Sequence, residues 1–245
     1  TGPVTLAGTL VQLNAEVLSG ITLIELVNPG SPAVHGCISS AMDPRGGSFA
    51  YGAVELGLLM TGSAQLARFY DLPCRGGAGA TDSCVPDMQA GYEASLNLLL
   101  ATLAGMNIVM YAVAGLEQAL TASFEKAVID NEILGMVKRA AKGIDVSDET
   151  LAVDVIRAVG PGGHYMAEKH TRMLHRKEQF IPELSSRMRW DSWVKAGGKD
   201  IREKGRELAK KILKEHQPEP LDRTVEKELE KVVEEVVQRT VKLSG

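Results

Sequence analysis

Four times along this chain a short apolar stretch gives way to a loop rich in Gly, Ser or Asp, and then to a long pattern of helical period. The apolar stretches are Val4–Ala7, Ala33–Ile38, Leu72–Ala78 and Asn107–Val113. The helical patterns that follow cover 9–27, 50–70, 87–105 and 122–142. Strands alternating with helices predict an α/β fold, a parallel sheet covered by helices. In such sheets ligands bind beyond the carboxyl ends of the strands, so the loops there are the expected working surface. Four strand–helix units over 1–143 are half of an eight-unit (β/α)8 TIM barrel. A half barrel leaves two open sheet edges. The opening Thr1-Gly-Pro3, which runs straight into the first apolar stretch, is expected to belong to a trimmed chain or fragment.

Residues 144–195 predict a mixed helical extension. Ser147, with Glu149 and Thr150, reads as a helix start, and Thr150–Val159 as a short amphipathic helix. Gly160-Pro-Gly-Gly163 breaks it, and His164–Arg176 predicts the next. From 196 to 245 charged residues dominate. Ile201, Leu208, Ile212 and Leu213 form one apolar stripe. After Gln217-Pro-Glu-Pro220, a second runs through Leu221, Val225, Leu229, Val232, Val233, Val236 and Val237 at spacings of 3 and 4. A charged C-terminal helical hairpin is expected, packed on the barrel or on another subunit.

The formal charge of −4 and the absence of an aromatic-interleaved basic patch exclude a nucleic-acid binder of the usual kind. With only 4% aromatic residues, aliphatic side chains and Met must build the core. Cys37, Cys74 and Cys84 give an odd count without CxxC spacing, which fits a reducing compartment. No leader-like segment is evident, and a cytoplasmic location is expected. Ala94–Leu116 lacks charge and is long enough to span a bilayer. Asn97, Gly105 and Asn107 interrupt it, so a buried helix feeding a buried parallel strand is the expected form.

Three loops carry candidate chemistry. Asp43-Pro-Arg-Gly-Gly-Ser48 offers backbone amides and Arg45 to an anion, but no Gly-Lys-Ser/Thr follows, so it is not a P-loop. The densest loop runs from Pro73 to Glu93. It passes Gly76, Gly77 and Gly79, then sets Thr81, Asp82, Ser83 and Cys84 beyond the strand end. Asp87 is placed to cap the next helix, with Gln89, Tyr92 and Glu93 on its first turns. The fourth strand leads into Tyr111-Ala-Val-Ala-Gly-Leu-Glu117-Gln118, and Glu117 with Tyr51, Tyr92 and Tyr111 is a candidate cation cage. Glu125, Asp130 and Glu132 fall on the next helix and are expected mostly to face solvent. His164, His170 and His175 have no metal-ligand spacing, and no zinc signature or Ser-His-Asp order stands out. No metal site is expected.

Several stretches together resemble one known family. They are Gly2–Gly8, Leu23–Gly30, Thr81-Asp-Ser83 with Pro86-Asp87 and Gln89–Glu93, Ser123–Lys126 with Asp130-Asn-Glu132, Gly162-Gly-His164, Glu168–Thr171 and Trp193–Gly197. In order, and over nearly the whole chain, they resemble the trimethylamine methyltransferase family. The resemblance covers that family's C-terminal half and implies a (β/α)8 barrel. It implies methyl transfer from a methylamine or betaine to the Co(I) of a corrinoid (cobalamin) carried by a cognate corrinoid protein. The methyl group would leave a positively charged nitrogen in an SN2 displacement. On that basis Asp82 and Glu117 are the expected catalytic carboxylates, and Tyr92 and Tyr111 the aromatic walls. Thr81, Ser83 and Gln89 would bind a substrate carboxylate or the corrinoid face, and Gly77 and Gly79 would serve the cofactor. The trimethylamine branch carries pyrrolysine, which this sequence does not contain; its position is expected within 79–84, near Cys84. A quaternary-amine donor such as glycine betaine, and a substitution at a pyrrolysine position, both stand as readings. Two further readings remain: a barrel enzyme binding a phosphorylated substrate through the Asp43–Ser48 and Gly76–Gly79 loops, with Arg45 or Arg75 as the cation at its mouth, and a non-catalytic half barrel that completes another chain or self-associates.

Overall fold

The computed structural model describes residues 2–36 and 38–243. Cys37, within the second expected strand, lies outside them. The chain divides into two compact units, Thr1–Ala209 and Lys210–Gly245.

The first unit opens on helix α1, Leu6–Val27. Val4–Ala7 is therefore not a strand. Pro3 has no N–H to offer a ladder, and the Thr5 hydroxyl accepts a hydrogen bond from the Gly8 amide at 3.3 Å, capping the helix. Leu6, Leu10 and Leu13 then continue at helical spacing into the core. Three of the four expected strands form: β1 (His35–Gly36), β2 (Cys74–Gly77) and β3 (Ile108–Met110). They pair parallel in the order β1-β2-β3, with His35 opposite Cys74 and Gly76 opposite Val109. Helices α2 (Val54–Phe69) and α3 (Met88–Leu103) make the two crossovers. The fold is thus mixed α/β, mostly helical, with a short parallel sheet.

Leu56, Leu59 and Met60 of α2 and Leu98 of α3 are buried against Ala78, Ala80 and Met106. A Cβ on Gly76 would lie 2.5 Å from the Met60 sulfur, so α2 seats closely only because that strand position is bare. Ala94–Leu116 divides into the second half of α3, a turn, β3 and a further short strand at Gly115–Leu116, and forms no continuous span. Helix α1 is long and apolar enough to cross a membrane by length and composition.

After β3 a small antiparallel ribbon pairs β4 (Gly115–Leu116) with β5 (Thr121–Ala122) around the turn Glu117–Ala119. Helix α4, Phe124–Lys142, follows, capped by the Ser123 side chain. Ser147 and Thr150 form the expected helix start as a capping box. The helix foreseen over Thr150–Val159 is split, because Ala152 adopts φ +51° between α5 (Asp148–Leu151) and α6 (Val153–Val159). Next come α7 (Lys169–Glu178), α8 (Trp190–Lys195) and α9 (Ile201–Glu215), in which the boundary between units falls. The second unit carries α10, Arg223–Leu243, with Val225, Leu229, Val232, Val233 and Val237 exposed.

Candidate active-site cleft

Asp87 caps α3 as expected, accepting from the Ala90 amide at 3.0 Å. That start aims the first turns of α3 back along the loop leaving β2. Gln89 and Glu93, four residues apart on one face, meet at 2.8 Å. The Glu93 carboxylate also accepts from the Thr81 hydroxyl and, at 2.9 Å, from the Asp82 amide. Glu93 is buried, and Gly52 is the reason it fits: a Cβ there would lie 2.0 Å from its carboxylate oxygen.

Asp82 is held from the other side. Its two oxygens accept from the amides of Tyr51 (2.7 Å) and Gly52 (3.0 Å). Burial pushes its carboxyl above the ordinary value. The two amides oppose that push, and the charges of Glu93 and Asp43 add to it.

Asp82, Gln89, Tyr92 and Glu93 line an open cleft of about 770 Å³ together with Asp43, Arg45, Glu55 and Gln118. Arg45 is exposed but engaged with Asp43. Its guanidinium binds Asp43 through contacts of 2.8 to 3.2 Å and holds that carboxyl down to about 2. Four carboxylates against one engaged arginine make a cleft suited to a cation.

The other expected residues lie elsewhere. Thr81 and Ser83 are buried in the loop; the Ser83 hydroxyl donates to Asp87 at 2.9 Å. Glu117 is exposed, has φ +50°, and accepts from the Thr121 hydroxyl at 2.8 Å. The expected tyrosine cage closes only in part. Tyr51 and Tyr111 meet edge to face at 6.0 Å, while Tyr92 stands 59% exposed on the cleft wall. The buried Tyr51 hydroxyl has no partner among the described residues, and burial, helped by Tyr111, pushes its ionisation well above the ordinary range. Gly77 and Gly79 are buried. A Cβ on Gly77 would lie 2.3 Å from the Tyr51 hydroxyl, and one on Gly79 would lie 2.6 Å from the Ala112 carbonyl oxygen. Cys84 is an exposed free thiol and Cys74 a buried one. Among the described residues no group of three His, Cys, Asp or Glu gathers as a metal site.

Helix α4 overturns one expectation outright. Asp130 and Glu132 are buried, not solvated. Asp130 pairs with Lys126 at 2.6 Å; burial raises its carboxyl and Lys126 opposes the rise. Glu132 accepts from the amides of Glu183 (2.7 Å), Leu184 (2.5 Å) and Ser185 (2.9 Å), and from the Ser185 hydroxyl. Burial works against its charge, but these donors outweigh it and leave the carboxyl below its ordinary value. Glu125 alone of the three stays partly exposed, paired with Arg206.

Fold and site together define an α/β protein whose acidic cleft opens at the carboxyl end of a parallel strand. The family described as trimethylamine methyltransferase (MTTB) matches residues 1–241, and the chain belongs to it. It is 42% identical to a glycine betaine methyltransferase of Desulfitobacterium hafniense (strain Y51) over 222 residues, 91% of this chain and 46% of that one. It is 44% identical to the trimethylamine methyltransferase MttB of Methanosarcina barkeri (strain Fusaro / DSM 804) over 222 residues, 91% of this chain and 44% of the relative. The chain thus spans a little under half the length of these relatives.

Proposed function

We propose that this chain is the C-terminal part of a (β/α)8-barrel methyltransferase that moves a methyl group from a methylated amine to the cobalt of a corrinoid protein. The observation that carries the reading is the carboxylate-rich cleft around Asp82, in a family whose relatives are named for trimethylamine and glycine betaine. Asp82 faces the positive nitrogen, Tyr92 forms a wall, and Gln89 offers a hydrogen bond to the rest of the substrate. Thr81, Ser83 and Glu93 hold Asp82 in place. Glu117, exposed and bonded to Thr121, is not among the residues lining the cleft.

The corrinoid is a substrate brought by its carrier protein, and supplies a nucleophilic cobalt that accepts the methyl group. The donor nitrogen leaves as a neutral amine. A quaternary nitrogen needs no proton, so this chain contributes positioning and a fixed negative field. The open side of the cleft suits approach by a large acceptor. Gly77 and Gly79 are buried and are not among the residues lining the cleft. Because the sequence holds no pyrrolysine, a quaternary donor such as glycine betaine is the substrate proposed. The phosphate-binding alternative loses support from its arginines: Arg45 is bound to Asp43, and Arg75 contacts the Met110 sulfur at 2.9 Å.

The test is anaerobic and spectroscopic. The whole protein, with both barrel halves, is given cob(I)alamin and offered glycine betaine, other betaines and trimethylamine in turn. Methylated corrinoid is expected with a quaternary donor. Methylation from trimethylamine alone would overturn the substrate assignment. Silence with every donor from folded protein would return the chain to the phosphate-binding or non-catalytic readings.

A further inference from the structure

The loops leaving β2 and β3 are sewn together beyond the ends of their strands. The Thr81 amide donates to Gly115 O at 3.3 Å, the Gln118 amide to Thr81 O at 2.9 Å, and the Glu117 amide to Ser83 O at 2.9 Å. The second loop accepts this register at a cost in backbone strain. Tyr111, Ala114, Glu117, Gln118 and Ala119 all have positive φ, a region that L side chains avoid. Such a loop persists only where its surroundings over-determine it.

Helix α4 supplies the missing restraint. Lys126 is almost wholly buried, and its ammonium donates to Gly79 O at 2.9 Å and to Asp130 Oδ2 at 2.6 Å. The same Asp130 oxygen accepts from the Ala114 amide at 2.8 Å. One ion pair therefore grips the first loop at Gly79 and the second at Ala114. Gly79 lies three residues before Asp82, and Ala114 four before Gln118, and both of those residues line the cleft. A buried lysine is expensive to desolvate and more often replaceable by apolar groups than required for stability. Its presence here is explained by the two backbone groups that the pair holds.

We propose that Lys126 and Asp130 are positioning residues of the cleft, an ion pair on α4 that locks the Asp82 loop to the strained 114–119 turn. That the lock serves amine binding rests on the function proposed above; the lock itself does not.

The test separates the two claims. Amide hydrogen exchange is compared between the whole protein and its K126M/D130L variant, which replaces the pair with apolar groups of similar size. Exchange within 79–83 and 114–119 is expected to quicken by about tenfold or more while α2 and α3 keep their protection. Unchanged exchange in both loops would overturn the proposal. If the double variant fails to fold, D130N, which keeps an oxygen in place, carries the test: faster exchange confined to the two loops supports the lock, and exchange at the original rate overturns it. Binding of glycine betaine by calorimetry is the second readout. Wild-type protein that binds the ligand, beside a folded variant that binds it equally well, would overturn the positioning role. Wild-type protein that does not bind it would count against the proposed function alone, leaving the exchange result to decide the lock.

Discussion

Helices α1 and α4 invert what their compositions suggest. Helix α1 is apolar along most of its length, yet Leu13 is its one buried residue among those described. Leu23, Leu26 and Val27 stand largely exposed. Helix α4 is dense with charge, yet buries Lys126, Asp130 and Glu132. Burial belongs to the partners a side chain finds. Each buried charge of α4 meets a backbone group or counter-charge that satisfies it. The apolar face of α1 meets too little among the described residues to cover it.

Removing a partner from α4 should therefore cost far more than changing the surface of α1. The largest effect is expected for Glu132→Ala, which strands three amides and a hydroxyl at once. A loss of about 3 kcal/mol or more is expected by denaturant unfolding. Because the Glu132 carboxyl lies below its unfolded value near 4.5, its contribution is present above that value and is lost as pH falls through the folded pKa. A stability profile of Glu132→Gln that keeps the wild-type acid limb would reject this assignment.

Gly52→Ala comes next. The added methyl must displace the Glu93 carboxylate, and a loss of about 2 kcal/mol is expected in thermal or chemical unfolding. No change would mean that the cleft wall yields.

Asp82→Asn should weaken tetramethylammonium binding by about tenfold, the scale of one charge contact in a half-exposed site. Asp82 holds its proton to higher pH folded than unfolded. Its stabilising effect is thus present at low pH and is lost as pH rises through the folded pKa. Cation affinity should grow over the same rise, measurable by calorimetry at several pH values. A flat profile would remove Asp82 from the cation site.

The smallest effect is expected on α1. Leu23→Lys with Val27→Lys should leave unfolding within about 0.5 kcal/mol while reducing self-association in sedimentation. A large destabilisation would show that this face is already covered.

The helices were legible because period and caps are local: Asp87 and Ser147 announced α3 and α5. The apolar run at Val4–Ala7 misled because a short apolar stretch does not distinguish a strand from the first turn of a helix. Asp82, Gln89 and Tyr92 were legible as a crowded polar loop at a strand end. Glu93 was legible as a neighbour and not as the centre of the network, because one of its partners, Thr81, sits across the loop and its room is made by Gly52 on another element. Lys126 and Asp130 at i, i+4 spell an ordinary surface pair. Only Gly79 and Ala114, contributed by two other loops, turn that pair inward.

The parallel sheet has one more consequence, for the order in which the molecule assembles. No strand of it meets a neighbour nearby in sequence; β1 reaches β2, and β2 reaches β3, only across an intervening helix. No hairpin is available to seed it, and loop closure must be spent before any sheet pairing is gained. The helices α2, α3 and α4, which pack on one another in chain order, are then the natural nucleus, and the strands arrive as passengers of their docking. Substitutions at the α2–α3 seam should slow folding, whereas those in the strained 114–119 turn, last to be held, should chiefly hasten unfolding.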